Sequence, residues 1–318
     1  MSDYLSPKKN QGWIYRERVK KSGVGQTVLQ YYTERYRHSS QEEWRERIIT
    51  GQILLDQKYT KPETRLTLGQ SLEYHRLPWN EPSVPLSYEV LYEDADLLAI
   101  AKPPGLPVLP GGNFLEHTLL WQLKKDYPED TPVPVHRLGR GTSGIMLLGR
   151  SPEAKSSLSR QMRSNSLGNS QKNRIKKVYR TLVTVNSIPD DLEISVRIGK
   201  INYTVLGYIY GATPDGKFAR SNCRVLQRHS NTTLLEVTIL TGRPHQIRIH
   251  LAAAGYPLIG DPLYLPGGIP RQTSAIEKAP LPGDCGYHLH AYLLSFIHPQ
   301  TGKAIELKCT PPPKLTVQ

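Results

Sequence analysis

The residues of this chain best suited to chemistry on a polyanion fall in two short segments. Residues 135–151 read "VHRLGRGTSGIMLLGRS" and residues 241–264 read "TGRPHQIRIHLAAAGYPLIGDPLY". In the first, Arg137 and Arg140 alternate with small residues just before a buried apolar run. Guanidinium groups there can meet phosphate oxygens, and glycines let a ligand approach the backbone closely. The segment lacks the Gly-Lys-Ser/Thr ending of a phosphate-binding P-loop. It is not a dinucleotide fingerprint either, because a strand follows it where a helix would be needed. In the second, Arg243, His245, Arg248 and His250 crowd one short predicted helix. His245 and His250 do not share a helical face, as a metal pair would require, and no metal is expected. A third segment, "LLAIAKPPGLPVLPGG" at 97–112, delivers Lys102 from a strand into a turn rich in proline and glycine.

The elements that must position these residues follow from periodicity and punctuation. Residues 1–24 read as a basic, flexible arm. Residues 25–77 form a compact pattern of two helices and short strands. Ser40 and Glu43 make a capping box for the second helix, and Gly51 ends it. The strands are expected at 53–56, 65–68 and 71–75. "LPWNEPSVPLS" spans 77–87, and 78–87 reads as the linker. A larger domain then fills 88–318. Its strands are expected at 90–92, 97–101, 144–148, 178–185, 192–198, about 235–239, and 288–297. A helix opens at Ser151-Pro152 with Ala154, Leu158 and Met162 on one face, and a second spans about 244–254. Many strands with few short helices imply an α+β fold on a mostly antiparallel sheet.

Composition narrows the partner. Of 318 residues, 41 are Lys or Arg and 28 are Asp or Glu, a net charge of +13 that suits a polyanion such as RNA. Residues 1–80 hold 14 basic against 9 acidic residues. From Lys155 to Arg180 there are 8 basic residues and no acidic ones. Lys155, Arg160, Arg163, Lys172, Arg174, Lys176 and Lys177 in this run are candidate phosphate contacts, with Lys102, Arg140, Arg243 and His245. No spanning-length apolar run is present, so no membrane partner is expected. Cys223, Cys285 and Cys309 are far apart and form no metal or redox pair, which fits a reducing cytoplasm.

The three segments, in this order, resemble the RluA family of RNA pseudouridine synthases. The resemblance runs from about Tyr88 to Pro313 and includes "KKVYRTLV" at 176–183 and "LHAYLLSFIHPQTGKAIEL" at 289–307. It implies extrusion of a uridine from structured RNA, ribosomal or transfer, and its isomerisation to pseudouridine without cofactor or metal. By position, Arg137 resembles the arginine that takes the flipped base's place. Tyr179 resembles the tyrosine that stacks on that base, and Arg248 resembles the partner of the catalytic aspartate. Ile247 would pack by the pocket. The 25–77 pattern resembles a small RNA-binding module first named from a small-subunit ribosomal protein. One departure is large. The family carries Asp where this chain has Gly139, and glycine can neither attack a sugar nor take a proton. Arg248 is therefore expected to be left as an unpaired buried cation. Glu153 lies past the next strand and Asp261 in a loop, so neither is an evident replacement. An isomerase and a catalytically silent RNA-binding protein or assembly factor both follow, each acting as a monomer.

Overall fold

A computed structural model describes residues 4–85, 87–164, 175–184, 187–272 and 279–318. It divides into two compact units: Pro7–Pro82 with Asn202–Tyr208, and the remainder of the chain.

In the small unit, helix α1 (Val28–Arg35) is closed by a capping box between Thr27 and Gln30. Helix α2 (Gln41–Ile49) carries the box expected from sequence, Ser40 with Glu43. Gly51 follows in the left-handed region at φ +75°. The two helices bury Val28, Tyr32, Trp44 and Ile48 against Ile53 and Leu72. Four antiparallel strands run in the order Trp13–Arg18, Ser71–Arg76, Ile53–Leu55, Lys58–Tyr59.

The expected flexible arm is corrected here: residues 4–24 hold paired strands. Strand Trp13–Arg18 pairs along its length with Ser71–Arg76, from Trp13 opposite Arg76 to Arg18 opposite Ser71. Its side chains are exposed apart from Glu17, so it shows no alternation. The ladder holds it, together with Glu17, which accepts hydrogen bonds from Tyr31 and Tyr36 at 3.0 and 2.6 Å. The division between the two units falls at Pro82–Ser83, inside the expected linker 78–87, and residues of that stretch also pair. Asn80–Glu81 pairs with Lys8–Lys9, and Val84–Pro85 with Tyr4–Leu5. The expected strand at 65–68 is reduced to a bridge between Thr27 and Arg65.

The large unit is built on a ten-stranded sheet. Its main path runs Asp191–Ile194, Ser221–Arg228, Thr233–Ile239, Lys176–Val183, Leu289–Ile297, Ser143–Gly149, Leu97–Lys102, Glu89–Glu93. The described pairings are antiparallel except one, between Ser143–Gly149 and Leu289–Ile297. That parallel contact covers only Ser143 opposite His290 and Gly144 opposite Ala291. The α+β, mostly antiparallel fold expected from sequence is the fold observed. Helix α3 (Leu119–Asp126) was not anticipated.

The short parallel contact explains "TSG". A Cβ on Gly144 would stand 2.3 Å from the Ala291 carbonyl oxygen, and φ there is +103°. Only glycine allows the two backbones to meet. Gly144 thus serves contact with protein backbone, where the sequence suggested approach of a ligand. Beside it, Ser143 Oγ bonds His290 Nδ1 at 2.9 Å, and His290 Nε2 bonds the Cys309 carbonyl at 3.2 Å. These contacts pin the end of segment 135–142 to the middle of the sheet.

Strand alternation sorts the two faces. Leu98 and Ile100 pack with Leu138, Met146 and Tyr179. Leu97 and Ala99 pack with Ala154, Leu158 and Met162 of helix α4 (Pro152–Ser164). Position 138 and helix α4 therefore lie on opposite faces of the sheet. None of the helices is long and apolar enough to cross a membrane among the described residues.

Candidate active site

Segment 135–142 leaves strand Val133–Pro134 and crosses the sheet before entering strand Ser143–Gly149. His136 Nε2 accepts from the Leu147 amide at 3.0 Å, which fixes the ring. Burial pushes His136 down to about 3, so it is neutral. Leu138 is buried, while Arg137 and Gly139 are exposed on either side of it. The Thr142 amide closes a turn onto the Gly139 carbonyl at 3.0 Å. Arg140 turns away: its Nε donates to the Gly283 carbonyl at 2.7 Å and its guanidinium lies 5.2 Å from the Phe114 ring centre.

Helix α5 (Gln246–Ala253) supplies the facing wall, and residues 246–252 are all buried. His245 enters it at φ 53°. Gln246 anchors the entry, with its side-chain oxygen accepting from Thr241 Oγ1 at 2.7 Å and the Arg243 amide at 3.0 Å. Arg248 meets Asp261 through two hydrogen bonds of 2.6 and 2.7 Å, with both side chains nearly excluded from solvent. Asp261 also accepts from the Leu263 and Tyr264 amides, and Arg248 donates to the Pro282 carbonyl at 3.2 Å. Burial is the largest single influence on Arg248 and opposes its charge, but the bonds to Asp261, together with the electrostatic attraction of Tyr287, Asp261 and Tyr264, raise its pKa. The expected unpaired cation is thus corrected: Asp261 neutralises it, whatever residue stands at 139.

These parts converge. The Arg248 guanidinium lies 4.3 Å from the centre of the Tyr287 ring. A Cβ on Gly139 would stand 2.9 Å from the Tyr287 hydroxyl. Tyr287, Ile247 and Leu251 form one apolar cluster against which Tyr179 packs, and Tyr179 packs also against the cluster containing Leu138. Burial pushes the Tyr179 phenol up to about 12, so it stays protonated. Arg137 is close enough to His245 for its charge to help depress the imidazole. Positions 139, 179, 247 and 248 therefore gather around Tyr287, with Arg137 near His245, and Tyr287 is the residue sequence reasoning missed. Nothing in its local sequence marks it.

Other candidates are corrected or set apart. Lys102 is 1% exposed and donates to the carbonyls of Pro103, Leu106 and Arg140 at 2.7, 2.9 and 3.2 Å. Burial lowers it to about 7. It ties two loops together and is not available to phosphate. Lys177 is buried as well and lowered to about 8 for the same reason. His245 bonds Tyr264 at 2.7 Å, and burial, assisted by Arg248, pushes it to about 3. It offers no cation to RNA at neutral pH. Arg243 donates to the Phe218 carbonyl at 2.9 Å. Lys155, Arg160 and Arg163 belong to α4, across the sheet from Leu138, and are partly or fully exposed. Lys176 is exposed. Lys172 and Arg174 lie outside the described residues.

His250 is structural: it bonds Ser221 Oγ and the Val196 carbonyl, both at 3.0 Å, and is fully buried. The one group of metal-ligating type among the described residues is Asp94, Asp96 and His298. There Asp94 bonds His298 at 2.8 Å and caps the Asp96 and Leu97 amides, closing a turn. Burial pushes His250 down to about 4, with His136 and His245 lower still. A histidine depressed on folding contributes stability that is complete above pH ~6.5 and is lost as pH falls toward the folded value. Urea unfolding should therefore show stability falling from pH 7 to pH 5. The slope should be up to about 1.4 kcal/mol per pH unit for each such histidine. A flat profile across that window would contradict the neutral, buried state.

The mostly antiparallel sheet, the loop 135–142 and the buried Arg248–Asp261 pair of helix α5 define an α+β domain with a buried ion pair beside its central strands. A sequence profile described as RNA pseudouridylate synthase matches residues 96–253. An uncharacterized RNA pseudouridine synthase of Synechocystis is 50% identical over 91% of this chain and 95% of its own length. RNA pseudouridine synthase 5 of Oryza sativa is 40% identical over 95% of this chain and 87% of its own. Ribosomal large subunit pseudouridine synthase D of Neisseria meningitidis is 30% identical, covering 83% of this chain and 70% of that protein. The structure of human RNA pseudouridylate synthase domain containing 1 shares the fold at TM-score 0.53 and 22% identity. That match covers 72% of this chain and 86% of the human one. The chain belongs to the RNA pseudouridine synthase family, in the RluA-type branch its motifs resemble.

Proposed function

We propose that this chain binds structured RNA, ribosomal or transfer, extrudes a uridine into the pocket beside Gly139 and isomerises it to pseudouridine. The observation that carries the reading is the gathering of Tyr179 and Arg248 around Tyr287, which abuts Gly139 two residues from Arg137, in a chain half identical to a protein named for this activity. Arg137 is exposed and unneeded by the fold's described contacts, so it can fill the gap an extruded base leaves. Tyr179 offers an apolar ring for the base to stack on. Lys155, Arg160, Arg163 and Lys176, with Lys172 and Arg174, supply phosphate contacts away from the pocket. The small unit with its capped helix pair adds a second RNA-contacting surface. The protein acts as a monomer in the cytoplasm, where its three unpaired cysteines stay reduced.

A specific observation favours a second reading. Gly139 supplies no carboxylate, and Asp261 is held by Arg248 and two amides, so it cannot replace one. On this reading the chain extrudes the uridine and releases it unmodified, as an RNA chaperone or assembly factor does. Incubating the purified protein with unmodified ribosomal and transfer RNA, then mapping pseudouridine, separates the two. Product that disappears with Tyr179→Phe supports the isomerase. RNA retention without product on any transcript supports the silent binder and rejects the isomerase.

A further inference from the structure

We propose that the Tyr287 hydroxyl is the polar group this pocket presents to an extruded nucleoside at position 139, and that Gly139 and Tyr287 are a matched pair. The inference rests on the RNA-binding reading above and names a residue for it.

The backbone does not require glycine at 139, because its φ is not among the positive values. Space does. A Cβ there would lie 2.9 Å from the Tyr287 hydroxyl and 3.4 Å from Thr142 Oγ1, and the first distance is too short for a real methyl contact. A Cβ on Gly141 would lie 3.0 Å from Cζ of the same ring. Two glycines of one loop thus make room for one phenol.

The ring cannot easily retreat. It is 5% exposed, stacks over the Arg248 guanidinium at 4.3 Å and packs in the cluster of Ile247, Leu251 and Leu289. Its hydroxyl is under-used. Among the described residues its only hydrogen-bond partner is Thr142 Oγ1, at a long 3.4 Å. Gly139 itself is exposed, so the hydroxyl stands behind a residue with no side chain to cover it. A ligand oxygen seated where a Cβ would have been meets a group able both to donate and to accept. Ribose hydroxyls and the carbonyl and imide edge of uracil have the matching chemistry.

The test uses Tyr287→Phe, which keeps the ring, Gly139→Ala, and the two combined. In thermal unfolding, Gly139→Ala should lower the midpoint in the native background. It should lower it by less than half as much when Tyr287→Phe is already present. Equal cost in both backgrounds would overturn the pairing, with no RNA involved. In binding to unmodified ribosomal and transfer RNA transcripts, Tyr287→Phe should weaken affinity about two- to tenfold, the value of one hydrogen bond. Arg137→Ala serves as the control on the parent reading. If Arg137→Ala weakens binding and Tyr287→Phe does not, this inference alone fails. If neither weakens it, the pocket is not the RNA site and the parent reading fails.

Discussion

Asp261→Ala should destabilise the large unit by about 3–5 kcal/mol, read as a lower urea midpoint at unchanged slope. The carboxylate is 1% exposed and Arg248 is 3% exposed, so removing one partner strands a full charge in the interior. Only the Pro282 carbonyl and the faces of Tyr264 and Tyr287 would remain to it. The Leu263 and Tyr264 amides would lose their acceptor at the same time. Replacing both charges together, Arg248→Met with Asp261→Asn, should cost much less, because no charge is stranded and the asparagine oxygen still serves the amides. Arg248→Met and Asp261→Asn, each alone and together, complete the cycle that measures the pair. An Asp261→Ala protein within about 1 kcal/mol of the native chain would show that water reaches Arg248, contrary to its burial.

That pair also marks the limit of what the sequence could show. Arg137 and Arg248 were legible as basic residues of dense motifs that suit a phosphate-bearing ligand, whereas Gly139 and the roles of all three came only from the resemblance to the RluA family. The strands flanking them were legible because buried strands leave apolar runs. Asp261 was visible as a residue but not as a partner: it reaches Arg248 by a turn after α5, and no periodicity encodes that contact. Tyr287 carries no signal at all, since its neighbours at 139 and 141 lie far along the chain. Lys102 misled for a related reason. A lysine at a strand exit is usually solvated, and only the three carbonyls around it in space reveal a structural cation. Strand Trp13–Arg18 was missed because an edge strand with exposed side chains leaves no alternating pattern, and its pairing with Ser71–Arg76 is a contact of the folded chain alone.

On the silent-binder reading, Gly139→Asp in a Tyr287→Phe background should raise pseudouridine formation by several powers of ten over the same background with glycine. On the isomerase reading the gain should be small, since the glycine form already works. The comparison removes the phenol hydroxyl from both proteins, so the carboxylate is the only group gained. A positioned nucleophile or base is worth that much because its removal from an intact site typically costs as much. The geometry favours the gain. The Cβ direction at 139 points at position 287, so a carboxylate added there is aimed at the ring that packs on the Arg248–Asp261 pair. Gly139→Asp alone should give a smaller increase, since the new side chain meets the Tyr287 hydroxyl at a distance real Cβ atoms do not adopt. The measurement is single-turnover pseudouridine formation on unmodified ribosomal and transfer RNA, with RNA affinity determined for each variant. If the double variant binds RNA as well as the Tyr287→Phe single variant yet forms no product, the pocket does not hold a uridine's C1′ near position 139. The shared motifs would then preserve a fold and an RNA-binding surface, and the chemistry associated with this loop would have no place in this protein.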